Sequence, residues 1–236
     1  MEASSKKMLE RLNEVNDVEV KSVFNDSFKS FGRVIEGFDL SSMISYMSET
    51  PLPDRGNIYL ASDPLLEKID TVKEIKSVIY GGMPIEVGYC NGKNRNINGF
   101  EYHKGSELNI AIDPFMLCLG HTWDIRSGNK FYEDDIHLFF VPAGTMIEMF
   151  ETTLHLSPIC AQSDGFRDIV ILPRGTNTAL SMEEKEMAGR ALDHGFKEAG
   201  LLLQKNKWVI ACPDRKPLID QGAFPGFVGE NKEFKF

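Results

Sequence analysis

The chain has 236 residues, 42% hydrophobic and 26% charged, an ordinary balance for a globular protein and long enough to bury a substantial core. Its net charge of −9, with no offsetting basic cluster, repels phosphate backbones and argues against nucleic acid as a partner. No run approaches a membrane span, and the first residues, through Lys6-Lys7, lack the apolar segment of a signal peptide; the expectation is a cytoplasmic protein with no membrane partner.

In chain order, residues 1–56 are predicted to form an N-terminal arm. Met8 and Leu12 stand at helical spacing within 4–14, and Val18 to Gly37 has mixed periodicity and is expected to be extended. Asp39 is an N-cap candidate for a helix through Met43 and Met47, which Pro51 and Pro53 end. From Asn57 the pattern changes to short β-type runs: Ile58 to Ala61, Ser77 to Tyr80, Ile85 to Tyr89, Glu107 to Ile112, Phe115 to Leu119, Leu138 to Val141, Met146 to Phe150 and Ile169 to Leu172. Gly81-Gly82, Asn91-Gly92, Asn98-Gly99, Asp113-Pro114 and Asp164-Gly165 punctuate them, a spacing that predicts a sandwich or barrel. A helix is predicted from Ser181, its N-cap, with apolar Met187, Ala191, Leu192 and Phe196 on one face and Gly200 as its stop. Trp208 to Ala211 reads as a last strand, so residues 57–236 form one β domain carrying the helix 181–199.

The four cysteines, Cys90, Cys118, Cys160 and Cys212, form no close pair, which points to free thiols rather than a CxxC site. The chemistry gathers elsewhere. Glu101 and His103 fall on one side of a strand, and a bend at Gly105-Ser106 can swing Glu107 back toward them. A second run opens at Pro142-Ala143-Gly144 and is expected to continue to Thr153-Leu154-His155. Carboxylate and imidazole together suit a divalent metal such as Zn, Mn, Fe, Co or Ni. Each residue has a plainer reading: a surface ion pair for His103 and Glu107, an imidazole-orienting partner for Glu101, a satisfied core histidine for His155. Glu148 is the candidate general base, and Arg167 and Lys104 the candidate cations for an anionic substrate, against the alternative of solvent-facing charges. His121 could line a barrel mouth; His137 and His194 read as exposed or structural.

These motifs resemble the cupin superfamily. Glu101-x-His103-x-x-x-Glu107 is similar to its first motif with Glu in place of the leading His, and Pro142-Ala143-Gly144 to the entry of its second, although Ile147 stands where that motif carries a His. His155 is the candidate replacement, reached by a longer or bulged strand. The phrases EYHKGSE, TLHLSP, LPRGTN and GFVGEN resemble a cupin-like family of bacterial sugar-catabolic settings. The resemblance implies a mainly β, double-stranded β-helix (jelly-roll barrel), a metal held by His103, Glu107, His155 and Glu101, and a small-molecule substrate. The leading expectation is a metal-dependent isomerase or epimerase of a sugar or sugar acid working through an enediolate. A metal-dependent lyase or hydrolase of a keto or ureido acid, and a non-catalytic sugar-binding or sensor protein, are the alternatives. A homodimer, with the arm exchanged between copies, is the expected assembly.

Overall fold

The structure is a computed structural model that describes residues 2–236. Sixteen strands run in chain order: β1 (Val20–Ser22), β2 (Gly32–Ile35), β3 (Asn57–Leu60), β4 (Ile85–Gly92), β5 (Gly99–Tyr102), β6 (Glu107–Ala111), β7 (Phe115–His121), β8 (Phe131–Tyr132), β9 (His137–Val141), β10 (Met146–Met149), β11 (Thr153–Leu154), β12 (Ile159–Cys160), β13 (Phe166–Pro173), β14 (Leu202–Gln204), β15 (Lys207–Ala211) and β16 (Phe227–Val228). The α-helices are α1 (Ala3–Val15), α2 (Ser41–Ser48), α3 (Asp70–Val78), α4 (Met182–Asp193) and α5 (Lys216–Asp220).

Two sheets form the barrel. One has the order β2-β10-β6-β13-β4-β3, and the other runs β1-β9-β7-β11, with β12 also on β7. A bridge between Glu101 and His155 joins β5 to the edge of β11. The eight strands of the roll therefore stand as β4-β13-β6-β10 facing β5-β11-β7-β9, and the chain passes between the two sets in the order of a jelly roll. The fold is the mainly β, cupin-type barrel expected from the sequence. Cys90, Ile147 and Phe166 of one sheet pack with Leu117, Phe139 and Val141 of the other in a single apolar cluster, which fills part of the interior.

The outer faces are covered as well. Met43 and Met47 of α2 and Val72 and Ile75 of α3 pack over Leu108, Ile110, Ile169 and Ile171, while Leu12 of α1 joins Met116, Phe140, Phe227 and Phe234 on the opposite side. With both faces covered, β7 reads as a continuous apolar run, whereas β6, buried throughout, alternates Glu107 and Asn109 with Leu108 and Ile110. Among the described residues no helix is long and apolar enough to cross a membrane.

Four local expectations differ from the structure. Ser77 and Val78, expected in a strand, end α3; buried Val72 and Ile75 sit at helical spacing, and Ile79 N–H closes the helix on the Ile75 carbonyl. The arm lies on its own barrel, β1 pairing parallel with β9 and β2 antiparallel with β10, so no exchange with a second copy is needed to complete these sheets. α4 has the predicted capping box at Ser181 and Glu184 but stops at Asp193, because Gly195 turns left-handed at φ +97°. Its expected core face stays outside: Met187 is 51% and Phe196 58% exposed.

Candidate metal centre

Four side chains converge where β5, β6 and β11 meet. Glu101 lies within β5 and His103 just beyond it; Gly105, at φ +143°, then turns the chain so that Glu107 opens β6. His155 enters by a different route from the one expected. β10 ends at Met149, the chain crosses to the other sheet, and β11 is a separate short strand pairing with Gly120 and His121 of β7. Backbone bonds between Glu101 and His155, N–H to carbonyl in both directions, lock the two residues opposite each other.

The distances describe one cluster. His103 Nε2 lies 3.4 Å from Glu107 Oε2 and 3.7 Å from Glu101 Oε1, and His155 Nε2 lies 3.2 Å from Glu107 Oε2. Glu101, His103 and His155 each offer a ligand atom within 4.8 Å of the others, a group able to hold a metal ion. All four residues are buried.

The donor chemistry fits a cation. His103 Nδ1 is 2.6 Å from the Asn206 carbonyl and His155 Nδ1 is 2.9 Å from the Thr153 carbonyl. A carbonyl only accepts, so each Nδ1 carries a hydrogen and turns Nε2 inward, as the outer partners of metal-bound imidazoles do. His103 Nε2 is buried and makes no aligned hydrogen bond, although two carboxylates flank it. Lone pairs of imidazole and carboxylate facing each other at these separations call for a positive charge between them.

The titration behaviour reports the same demand. Burial by itself would lower the His103 imidazole, but hydrogen bonding and charge from Glu101 and Glu107 lift it from 6.5 to about 9. Burial by itself would raise Glu101, yet the Lys207 ammonium, 2.5 Å away, and then His103 draw it from 4.5 to about 2. Burial likewise opposes ionisation of Glu107, and the two imidazoles overcome it and hold that carboxyl well below the usual range.

Beside the cluster opens a cavity of about 430 Å³, within the range of small-ligand sites. Glu101, Glu107, Asn109, Asp168, Lys207 and Tyr59 are among its lining residues, with the exposed Arg215 at its edge. Asn109 Nδ2 donates both to Glu107 Oε1 at 3.1 Å and to Asp168 Oδ2 at 2.8 Å, linking the cluster to the cavity wall.

The three residues expected to act beside the metal stand elsewhere. Glu148 occupies the opposite face of its sheet, across from Leu108, and forms an ion pair with Arg33 at 2.6 Å. Arg167 also faces outward, where it donates to the Thr50 carbonyl and to Asp113. Lys104 is held by Glu198 at 2.7 Å over the rings of Tyr102 and Trp208. Strand parity explains the first two, because Ile147 and Asp168, their neighbours in sequence, take the inward positions. His121 is stacked between Phe31 and Trp123, with ring centroids 4.0 and 4.1 Å away, outside the cluster.

Lys207, Asn109 and Asp168 were missed. The last two had a signal, a polar residue flanked by apolar ones within a buried strand for Asn109 and next to an apolar run for Asp168; Lys207 had none, because only the pairing of β15 with β5 brings it to Glu101.

The family model described as "Domain of unknown function (DUF4867)" matches residues 20–232, nearly the whole chain. The chain belongs to this family. No curated protein matches this DUF4867 member. Among solved structures it is similar to a variant of Bacillus subtilis oxalate decarboxylase (11% identity, TM-score 0.32, covering 63% of this chain and 35% of the other). It is also similar to vicilin from hazelnut, Corylus avellana (9%, 0.33, 69% and 46%). A third similar structure is salicylate 1,2-dioxygenase from Pseudoaminobacter salicylatoxidans with gentisate (7%, 0.31, 66% and 35%). The DUF4867 chain thus spans less than half the length of each. The strand orders carry the fold, and the side chains carry the chemistry.

Proposed function

We propose that this protein is a metal-dependent enzyme that isomerises or epimerises a sugar or sugar acid. One observation carries the reading: two inward-facing imidazole nitrogens and two carboxyl groups converge at the wall of a cavity. His103, His155, Glu101 and Glu107 would hold a divalent cation of the Mn, Fe, Co, Ni or Zn type. Such an ion, when bound, supplies Lewis acidity to a carbonyl and neighbouring hydroxyl.

The remaining residues bind and orient. Asn109 and Asn177, whose Oδ1 atoms have no partner, and Gln204 give the cavity neutral amides suited to hydroxyl groups. Lys207, not Arg167 or Lys104, is the ammonium inside the cavity, placed to meet negative charge that develops on substrate oxygen. No thiol offers a nucleophile: burial pushes the Cys90 sulfhydryl well above its usual value, so it keeps its proton.

Two measurements test the reading. Metal analysis of the purified protein is expected to find a bound divalent ion that His103→Ala loses; full metal content in that variant would remove His103 from the ligand set. Metal-loaded protein is then offered aldoses, ketoses and uronic acids in deuterated water. Exchange of a carbon-bound hydrogen in at least one is expected, whereas none in any of them would favour a sugar-binding or sensing protein.

A further inference from the structure

Asp168 is the one carboxyl of the cavity wall that the metal reading leaves without a task. It sits in the middle of β13, fully buried, across from Cys90 on β4 and Ala111 on β6. Oδ2 accepts from Asn109, and Oδ1 has no hydrogen-bond partner. Among the described residues no Lys or Arg pairs with it; Lys207, which lines the same cavity, is engaged by Glu101.

A bare carboxylate in such a place has little to hold it. Burying an ionised carboxyl without a cation costs several kcal/mol even after local relaxation. The groups facing it make matters worse. Cys90 opposite it carries a thiol, and a second carboxyl, Glu107, lies one amide away through Asn109. Burial first, and the Glu107 charge second, push the Asp168 carboxyl well above its ordinary value against hydrogen bonding from Asn109 and the Ile110 backbone. Asn109 Oδ1 is also without a partner. A donor and an acceptor, both unsatisfied by the chain, therefore belong to neighbouring residues that line one cavity.

We propose that Asp168 is the acid of this cavity, a carboxyl that keeps its proton at neutral pH and presents the O–H at Oδ1 to a carbonyl or hydroxyl oxygen of the ligand. Its place in catalysis rests on the reading of this cavity as the substrate site; its protonation does not. Donation breaks the Asp168 O–H bond and forms one on the ligand oxygen. The electron pair stays behind as a carboxylate that the Asn109 amide already meets, and a proton returning from a ligand hydroxyl restores the acid. The ligand class this selects carries a carbonyl next to a hydroxyl, one oxygen accepting from Asp168 and one hydroxyl donating to Asn109 Oδ1.

Difference infrared spectroscopy of the whole protein against Asp168→Asn, at neutral pH and with metal both loaded and chelated, reads the proton directly. The wild type is expected to show a carboxylic-acid carbonyl band that the variant lacks, and the band is expected to shift in deuterated water because Asp168 lines the cavity. Loss of a carboxylate band instead would overturn the proposal, and a band that resists exchange would overturn its orientation toward the cavity. If Asp168→Asn fails to fold, carboxyl-labelled aspartate in the wild type gives the same answer by NMR: one resonance should stay in its protonated position at neutral pH, and ionisation of every aspartate would sink the idea. Metal analysis and substrate exchange are read separately, so a sugar reading can fail while the buried acid stands.

Discussion

The interior of this barrel has two parts built from the same strands. One is a dry cluster of Phe115, Leu117, Leu119, Phe139, Val141, Ile147 and Phe166; the other is the polar group of Glu101, His103, Glu107, Asn109, His155 and Asp168. β6 contributes Glu107 and Asn109 to the second and Ala111 to the first, two residues at a time along one face. The dry part is complete in itself, because apolar side chains satisfy each other by contact. The polar part is not: His103 Nε2, Asn109 Oδ1 and Asp168 Oδ1 are buried without hydrogen-bond partners in the chain. A cluster that stabilises the fold and a cluster that needs a ligand can thus be told apart by their unsatisfied atoms.

Substitutions should separate the two parts. The largest effect is expected from His155→Ala, which should weaken divalent metal binding by more than about 100-fold, beyond what loss of an outer partner causes, while melting of the chelated protein changes far less. Competition with a chelator of known affinity measures it, and unchanged affinity would place the metal elsewhere. Phe139→Ala should do the reverse, with a loss of about 3–5 kcal/mol in denaturant unfolding and one metal site kept at normal occupancy. Loss of metal in that variant would mean that the two parts are not independent.

A pH series on chelated protein tests the polar part alone. His103 is raised on folding from 6.5 to about 9, so the stability it contributes is complete below 6.5 and drains away as pH climbs through about 9. Glu101 moves the other way, from 4.5 to about 2; its contribution is complete above 4.5 and is lost as pH falls through about 2. Unfolding midpoints should follow both limbs, and His103→Ala should flatten the alkaline one. The smallest effect belongs to Glu148→Gln, about 1 kcal/mol or less from its half-exposed pair with Arg33, with metal content unaltered. A large loss of metal there would return Glu148 to the site.

Much of this was legible in the residues. Turn punctuation between short apolar runs pointed to a β sandwich or barrel, and strand parity put Glu101 and His103 on one side. Glu148 and Arg167 were placed by nearness to the motifs and not by parity, which with Ile147 and Asp168 inward sends both to the outer faces of β10 and β13. His155 reaches the cluster by a different path from the one expected: no bulge carries it, and a crossing between sheets at Phe150 to Thr152 does.

By itself the sequence determined the barrel, the capping box of α4 and the acid–imidazole motif, because strand parity, turns and caps depend on neighbours within a few residues. Tertiary structure alone decided that His155 faces His103, that Lys207 holds Glu101 and that Asp168 stands unpaired at the cavity. Those meetings join residues far apart in the chain, and they depend on sheet order and register, which local spacing does not encode.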